Sequence, residues 1–268
     1  MLRISTILWN RQFWSLFQES VSCPISVACT MFSLFSLNAG RTRHLLLWAL
    51  PLGFLSALVL AFSEFSLNHR SQFSLPDFFQ NFWAYGGCAL LAMLFAEGCG
   101  LKFFLMERAE SWFRKLGWLA VYGVLAGVAM GLLYHRLFAA YRFSPRVPFR
   151  LRSMETLSDA FILSLSAALT EEIVFRLLLF SSFLYTLGWL FRPILAMNAG
   201  LNRWIPLIFS IVFSALLFGY VHGVFGFLFA FGAGIWLCLI FLRGGLESAV
   251  LAHFLADFVF FSLTYLGH

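Results

Sequence analysis

Long apolar runs separated by short polar segments dominate this sequence. A helix that crosses the hydrocarbon core of a bilayer needs about 20 mostly apolar residues. Seven runs approach or exceed this length, at residues 44–62, 78–101, 116–137, 159–190, 204–222, 227–242 and 247–265. The pattern therefore predicts an all-α fold, a polytopic membrane bundle of about seven or eight transmembrane helices.

The eighth helix depends on an ambiguous segment near the start of the chain. Residues 23–37 are apolar, but they number only about 15, fewer than a full crossing needs. They fit a short span, a re-entrant piece or an interfacial helix. A basic, proline-containing stretch at 139–158 then separates two groups of helices. We expect one integral membrane domain, with N-terminal helices in 1–157 and a four-helix core in 158–268.

A stripe of glycines marks the third apolar run. Gly123, Gly127 and Gly131 are spaced four apart and therefore share one helix face. Small residues at this spacing let two membrane helices approach closely. The stripe predicts a helix contact on this face.

Composition supports the membrane interpretation. Hydrophobic residues make up 61% of the chain and charged residues only 11%, whereas soluble domains carry about 25% charged residues. The net charge of +6 arises from basic residues scattered at the ends of apolar runs, where they face lipid headgroups. We therefore expect these basic residues to contact the bilayer and not a nucleic acid. The five cysteines lack CxxC spacing and are interpreted as packed thiols.

Three charged residues interrupt the run at 159–190. Glu171, Glu172 and Arg176 lie well inside it. A charge at mid-bilayer costs roughly 2.5 to 3.5 kcal/mol, so these side chains need partners or water. Glu172 and Arg176 are four residues apart and can pair on one helix face. Glu171 points about 100° away from its neighbour in a helix of 3.6 residues per turn, which leaves it available for chemistry.

Two later runs add further polar groups. His222 ends the run at 204–222, and His253 and Asp257 lie four residues apart in the last run. Carboxylates, imidazoles and a guanidinium can together activate a water molecule and hold an oxyanion. Two histidines and a glutamate are also the ligands of many hydrolytic zinc sites. The set predicts hydrolysis within the membrane, although each pair alone is also consistent with a structural ion pair or hydrogen bond.

These residues also carry a family resemblance. The segments Glu171-Glu172-x-x-x-Arg176, Phe218-x-x-x-His222 and His253-x-x-x-Asp257 resemble the three signature motifs of the CPBP intramembrane proteases, also called the Abi or CAAX prenyl protease type 2 family. The resemblance covers roughly residues 158–265. It implies an intramembrane endopeptidase that acts on a membrane-anchored or lipid-modified protein.

The resemblance further implies a role for each matching residue. Glu171 would activate water together with His222, and Glu172 and Arg176 would support the site. His253 and Asp257 would bind the oxyanion or orient the water. Many members have Asn at the last position, and a carboxylate cannot donate a hydrogen bond unless protonated. Asp257 therefore fits better a role in orienting His253 or a metal.

The resemblance leaves the cofactor open. The family is often labelled metalloprotease, so Glu171, His222 and His253 are candidate zinc ligands, but a metal-free mechanism with a glutamate-activated water is also argued for it. The segment around His222 is closer to bacterial members, which suggests a bacterial plasma membrane and a substrate that need not be prenylated.

Two other classes of function fit a membrane bundle with buried charges. Glu and His side chains also form proton relays, so a proton-coupled transporter or channel is an alternative. Against it, the ionisable residues cluster in the last part of the chain and no internal repeat is visible. A catalytically silent membrane-binding protein is the other alternative, which the complete motif set disfavours.

Overall fold

The computed structural model describes residues 39–68, 74–99, 101, 104, 111–140, 156–195 and 199–266. The ambiguous segment 23–37 and most of the basic stretch 139–158 lie outside these residues. Within them the elements are helical throughout, which confirms the all-α fold. In chain order the helices are α1 (Ala39–Asn68), α2 (Leu75–Cys99), α3 (Trp112–Trp118), α4 (Ala126–Ala140), α5 (Leu157–Glu172), α6 (Ser181–Leu195), α7 (Ala199–Val221) and α8 (Gly223–Leu266).

Two π-helical segments join some of these helices end to end. Leu119–Leu125 connects α3 to α4, and Ile173–Phe180 connects α5 to α6. The chain therefore runs as one long helix from Trp112 to Ala140 and as another from Leu157 to Leu195. Isolated π-helical turns are rare and often lie at functional sites. The second segment begins directly after Glu172, inside the first predicted motif.

The described residues contain six helices that are long and apolar enough to cross a membrane. One of them, Gly226–Leu266, has 41 residues, which is about 62 Å of helix and twice the thickness of the hydrocarbon core. Gly245 breaks it, with φ 77° and ψ −178°. Only glycine adopts this conformation without strain. Each half of α8 is long enough for one crossing, so seven helical segments match the predicted runs.

Glycines allow the closest helix contacts. A Cβ atom on Gly53 of α1 would lie 2.8 Å from the Cα atom of Gly86 on α2, so the two backbones touch. The stripe at Gly123, Gly127 and Gly131 faces the second half of α8 in the same way. The helix contact predicted from this stripe is therefore present, and its partner is another helix of the same chain.

The start of α5 is fixed by a capping box. The Thr156 hydroxyl accepts a hydrogen bond from the Asp159 backbone N–H, and the Asp159 carboxylate accepts one from the Thr156 N–H at 2.9 Å. This reciprocal pair satisfies two of the free N–H groups at the helix terminus. It gives the first motif a defined helix start, with the N-cap residue Thr156 fifteen residues before Glu171.

The glycine stripe generates a stability prediction. A Cβ atom at Gly127 would lie 2.6 Å from the Ala252 carbonyl oxygen, whereas one at Gly117 on α3 would meet nothing within 4 Å. Overpacking of this kind costs roughly 1 to 3 kcal/mol. We expect Gly127→Ala to lower the free energy of unfolding in detergent by about this amount.

Gly117→Ala is the matched control, because it adds the same methyl group to a helix without a clash. Alanine is favoured over glycine inside a helix by roughly 0.5 to 1 kcal/mol, so this variant should be neutral or slightly stabilised. Equal stability of the two variants would contradict a tight contact at Gly127.

Candidate active site

The most buried part of the site is an ion pair within one helix turn. Nη1 of Arg176 lies 3.2 Å from Oε1 of Glu172, and both side chains are completely buried. The guanidinium also stacks over the ring of Phe218 on α7, 4.2 Å from the ring centroid. A cation over an aromatic face gains further electrostatic stabilisation when it is desolvated. The charged pair predicted from the i, i+4 spacing is therefore present, and α7 covers it.

His253 connects this pair to the second half of α8. Its Nδ1 lies 2.8 Å from Oε1 of Glu172, the same oxygen that faces Arg176. The side chain is 6% exposed. Because a carboxylate oxygen only accepts, Nδ1 carries the proton and donates it. Glu172 thus holds both Arg176 and His253, and the ring of His253 has one orientation.

Glu171 lies on the open side of this network. Its Oε2 atom is 3.8 Å from Nε2 of His222 and also 3.8 Å from Nε2 of His253. These separations exceed the range of a direct hydrogen bond, which ends near 3.2 Å. The side chain is 25% exposed, whereas its neighbour Glu172 is fully buried. The two adjacent glutamates therefore occupy different environments.

His222 approaches Glu171 from the end of α7. Its Nδ1 lies 2.7 Å from the backbone carbonyl oxygen of Phe218, which can only accept, so Nδ1 is protonated. In the neutral ring Nε2 then has a free lone pair directed at Glu171. The ring of Phe218 meets His222 with centroids 4.6 Å apart and meets His253 edge-on at 5.8 Å. The ring of Phe218 thus packs against both histidines.

Asp257 completes the set on the open side. Its Oδ2 atom lies 3.4 Å from Nε2 of His253, and the side chain is 29% exposed. Both ring nitrogens of His253 therefore face carboxylate oxygens. All six residues predicted from the sequence meet at one place, where the first π-helical turn after α5, the end of α7 and the second half of α8 come together.

The structure adds a residue from the N-terminal half that the sequence did not indicate. Tyr85 of α2 lies close to Thr170 and within electrostatic range of Glu171. Thr170 itself donates its hydroxyl proton to the Ser166 carbonyl oxygen at 2.7 Å. No spacing in the sequence links a single tyrosine in an apolar run to the site. Only the packing of α2 against the long helix brings it to the site.

The side chains as placed do not form a metal site. No group of three or more His, Cys, Asp and Glu residues is arranged to hold a metal ion in the part of the chain that the structure describes. Tetrahedral zinc bound to N and O atoms at 2.0–2.1 Å keeps these atoms about 3.3 Å apart. The separations of 3.8 Å around Glu171 are wider. The side chains in this arrangement therefore do not fit a zinc ion.

A comparison with known protein families agrees with the geometry. The sequence model of the family described as "Type II CAAX prenyl endopeptidase Rce1-like" matches residues 153–259. This range contains α5, α7, the break in α8 and all six residues of the site. No curated protein and no solved structure matches the chain.

The part of the chain that carries the site is therefore similar to the Rce1-like type II CAAX prenyl endopeptidases. At family level this similarity supports an intramembrane CAAX-type protease. Its apolar helices make the protein an integral, multi-pass membrane protein. The resemblance noted from the three motifs is confirmed.

The buried ion pair generates a second prediction. Removal of one partner of a buried pair leaves an uncompensated charge and costs roughly 3 to 5 kcal/mol. We expect Arg176→Met to destabilise the protein by about this amount, as measured by unfolding in detergent. Glu171→Gln should change stability far less, because Glu171 is partly exposed.

A double variant separates charge from packing. Glu172→Gln combined with Arg176→Met removes both charges, so it should be more stable than Arg176→Met alone. If the double variant is the less stable of the two, the loss comes from packing and the ion-pair interpretation is wrong.

Proposed function

We propose that this protein is an intramembrane endopeptidase in which Glu171 and His222 activate a water molecule that hydrolyses a peptide bond. One observation carries the proposal: a single oxygen of Glu171 lies 3.8 Å from Nε2 of both His222 and His253. The family match supports peptide-bond hydrolysis as the class of reaction. The roles of the individual residues are inferred from their geometry.

The spacing around Glu171 fits a bridging water. A water oxygen needs about 2.8 Å to each hydrogen-bonding partner. Two partners 3.8 Å apart can share one water that lies to the side of the line between them. The side chains of Glu171 and His222 are both partly exposed. Oε2 of Glu171 is itself buried and has no hydrogen-bond partner among the described residues, and a bridging water would satisfy it.

The two histidines have different hydrogen-bonding roles. Nδ1 of His222 donates to a backbone carbonyl oxygen, so its Nε2 can accept a hydrogen bond from water. Both nitrogens of His253 face carboxylates, an arrangement in which both can donate. His222 therefore suits water activation, and His253 suits stabilisation of negative charge on the substrate.

The proposed reaction needs no group beyond these side chains and water. Glu171, assisted by His222, takes one proton from the water as its oxygen bonds to the scissile carbonyl carbon. The carbonyl oxygen becomes an oxyanion, and a donor aimed at this developing charge lowers the barrier. Nε2–H of His253 is that donor. The carbon–nitrogen bond then breaks, and Glu171 returns the proton to the leaving amine.

The remaining residues position this apparatus. Glu172 fixes the orientation of His253 through its Oε1 atom, and Arg176 neutralises Glu172 in the apolar interior. Asp257 approaches Nε2 of His253 at 3.4 Å and favours a protonated nitrogen there. A positioning role suits Asp257, because a carboxylate cannot itself donate to an oxyanion.

The proposed substrate is a membrane-anchored or lipid-modified protein. The family description names prenyl endopeptidases, which supports cleavage near a lipid-bearing end. The proposed membrane is a bacterial plasma membrane, where an apolar anchor in place of a prenyl group would hold the substrate.

Substitution of the catalytic carboxylate tests the proposal. We expect Glu171→Gln to reduce cleavage of a membrane-anchored substrate by roughly 10² to 10⁴-fold, the range of general acid–base catalysis. His222→Ala should reduce it by a similar order. The measurement is the cleavage rate in liposomes with a panel of prenylated and helix-anchored peptides.

Asp257→Asn is the matched comparison, because it keeps the shape of the side chain on the open side of the site. We expect a smaller loss than for Glu171→Gln. Full activity of Glu171→Gln or His222→Ala would refute the assignment of roles. Proton flux in place of cleavage would favour a proton-coupled transporter.

Treatment with a chelator distinguishes the metal-free mechanism from a metal-dependent one. Because the proposed mechanism uses only side chains and water, cleavage by the wild type should survive dialysis against a strong zinc chelator. Metal content of the purified protein is measured in parallel. Loss of cleavage on dialysis, with recovery on addition of zinc, would overturn the metal-free mechanism.

A further inference from the structure

Ser214 on α7 forms a different kind of hydrogen bond from the other serines buried in the helices. Serine within a helix commonly donates to the carbonyl oxygen one turn earlier in the same helix. Four buried serines of this protein do so, at 2.6 to 2.8 Å: Ser56, Ser164, Ser210 and Ser248. The Ser214 hydroxyl instead donates to the Phe175 carbonyl oxygen at 2.7 Å, and these two residues are 39 positions apart. This bond therefore joins two helices.

The acceptor belongs to the π-helical segment Ile173–Phe180, which follows Glu172 directly. Hydrogen bonds in a π-helix run to the fifth residue instead of the fourth, and such segments are rare. A donor from a neighbouring helix helps to hold a carbonyl group of this segment in place. Ser214 is 1% exposed and lies within the membrane span Trp204–Val221. Loss of its hydroxyl would remove this donor from a buried carbonyl oxygen, which is costly.

Ser214 is the first of three contacts along one face of α7. Phe218 and His222 follow at intervals of four residues, so the three side chains share this face. The ring of Phe218 packs edge-on against the ring of Phe175, with centroids 5.1 Å apart. Nε2 of His222 lies 3.8 Å from Oε2 of Glu171. All three contacts are made with the long helix that carries the first motif.

The three contacts differ in how strongly they fix the position of α7. Apolar packing is non-directional, so the ring of Phe218 alone does not set the register of the two helices. The separation of His222 from Glu171 is too long for a direct hydrogen bond. The bond of Ser214 is short and directional, and it lies eight residues before His222, or about 12 Å along the helix. It is therefore the contact that sets the rotation and height of α7 beside the first motif.

We propose that Ser214 is a positioning residue of the site. Its hydroxyl holds α7 against the π-helical segment in the register that brings His222 to Glu171. Ser214 acts through His222 and does not touch the reacting atoms. Its effect on the position of His222 is independent of the reaction, whereas its effect on cleavage rests in addition on the proposed proteolysis.

Nitrogen NMR in detergent tests the position of His222 without any need for activity. The chain contains only six histidines, so isotopically labelled histidine gives a sparse spectrum, and His222→Ala identifies the signals of His222. We expect Ser214→Ala to shift the Nε2 signal, because the ring moves relative to Glu171. A role in stability alone would lower the unfolding temperature and leave the signals of the folded protein unchanged. That result would overturn the proposal.

Ser210→Ala is the matched control. Ser210 lies one turn before Ser214 on α7 and is also buried, but its hydroxyl donates to the Pro206 carbonyl oxygen of the same helix. This variant therefore loses a similar hydroxyl without losing a bond between helices. We expect the His222 signals of the wild type. An equal shift in both alanine variants would contradict the proposed role of Ser214.

Two further substitutions grade the donor and keep the test valid if Ser214→Ala does not fold. Ser214→Thr retains the hydroxyl, whereas Ser214→Cys replaces it with a thiol, which is a weaker donor. We expect the threonine variant to keep the His222 signals of the wild type. The cysteine variant should shift them in the same direction as alanine. Wild-type signals in the folded cysteine variant would overturn the proposal.

Cleavage kinetics with an anchored peptide in liposomes test the consequence for catalysis. Misplacement of a reacting group by about 1 Å can cost about 10²-fold in rate, so we expect the kcat of Ser214→Ala to fall by roughly tenfold. KM should remain close to the wild type, because Ser214 is buried away from substrate, and Ser210→Ala should retain both values. A displaced His222 with unchanged kcat would overturn the positioning role. A displaced His222 in a protein that cleaves no peptide would support the role of Ser214 and refute the proteolysis instead.

Discussion

The intolerance of the bilayer interior for an unpaired charge governs this structure. Glu172 is completely buried, and its one oxygen faces both Arg176 and His253. These residues belong to a π-helical turn, the end of α5 and the second half of α8, so the pairing requirement fixes how three segments meet. Phe218 then covers the guanidinium, which adds α7 to the same point. A charge network that is costly by itself thus specifies the arrangement of the helices around it.

The same network divides the site into a closed side and an open side. Glu172 and Arg176 are shielded from solvent, whereas Glu171, His222 and Asp257 retain partial exposure. Adjacent glutamates on one helix turn point in different directions, so a single short segment supplies both the structural anion and the candidate base. His253 is shared, with one nitrogen on each side. Changes in the buried half therefore reach the reactive half through the orientation of one imidazole ring.

Sequence patterns predicted the contacts within helices better than those between them. The pairs Glu172 with Arg176 and His253 with Asp257 follow from a spacing of four residues. The bond from Glu172 to His253 joins residues 81 positions apart. The sequence indicated only that the buried charges need partners, and it did not indicate which residues these partners are. Tyr85 was missed because a lone tyrosine in an apolar run resembles many others. The π-helical segment was also missed, since its residues have ordinary helical composition and local hydrogen bonding alone distinguishes it.

The break at Gly245 has a consequence for how the molecule keeps its working geometry. His253 lies eight residues beyond this glycine, about two helical turns away. The direction in which the second half of α8 leaves the break sets where that imidazole arrives. The positive φ angle of Gly245, which glycine adopts without strain, therefore determines the position of His253 two turns away. A residue without a side chain thus helps to place an imidazole of the site.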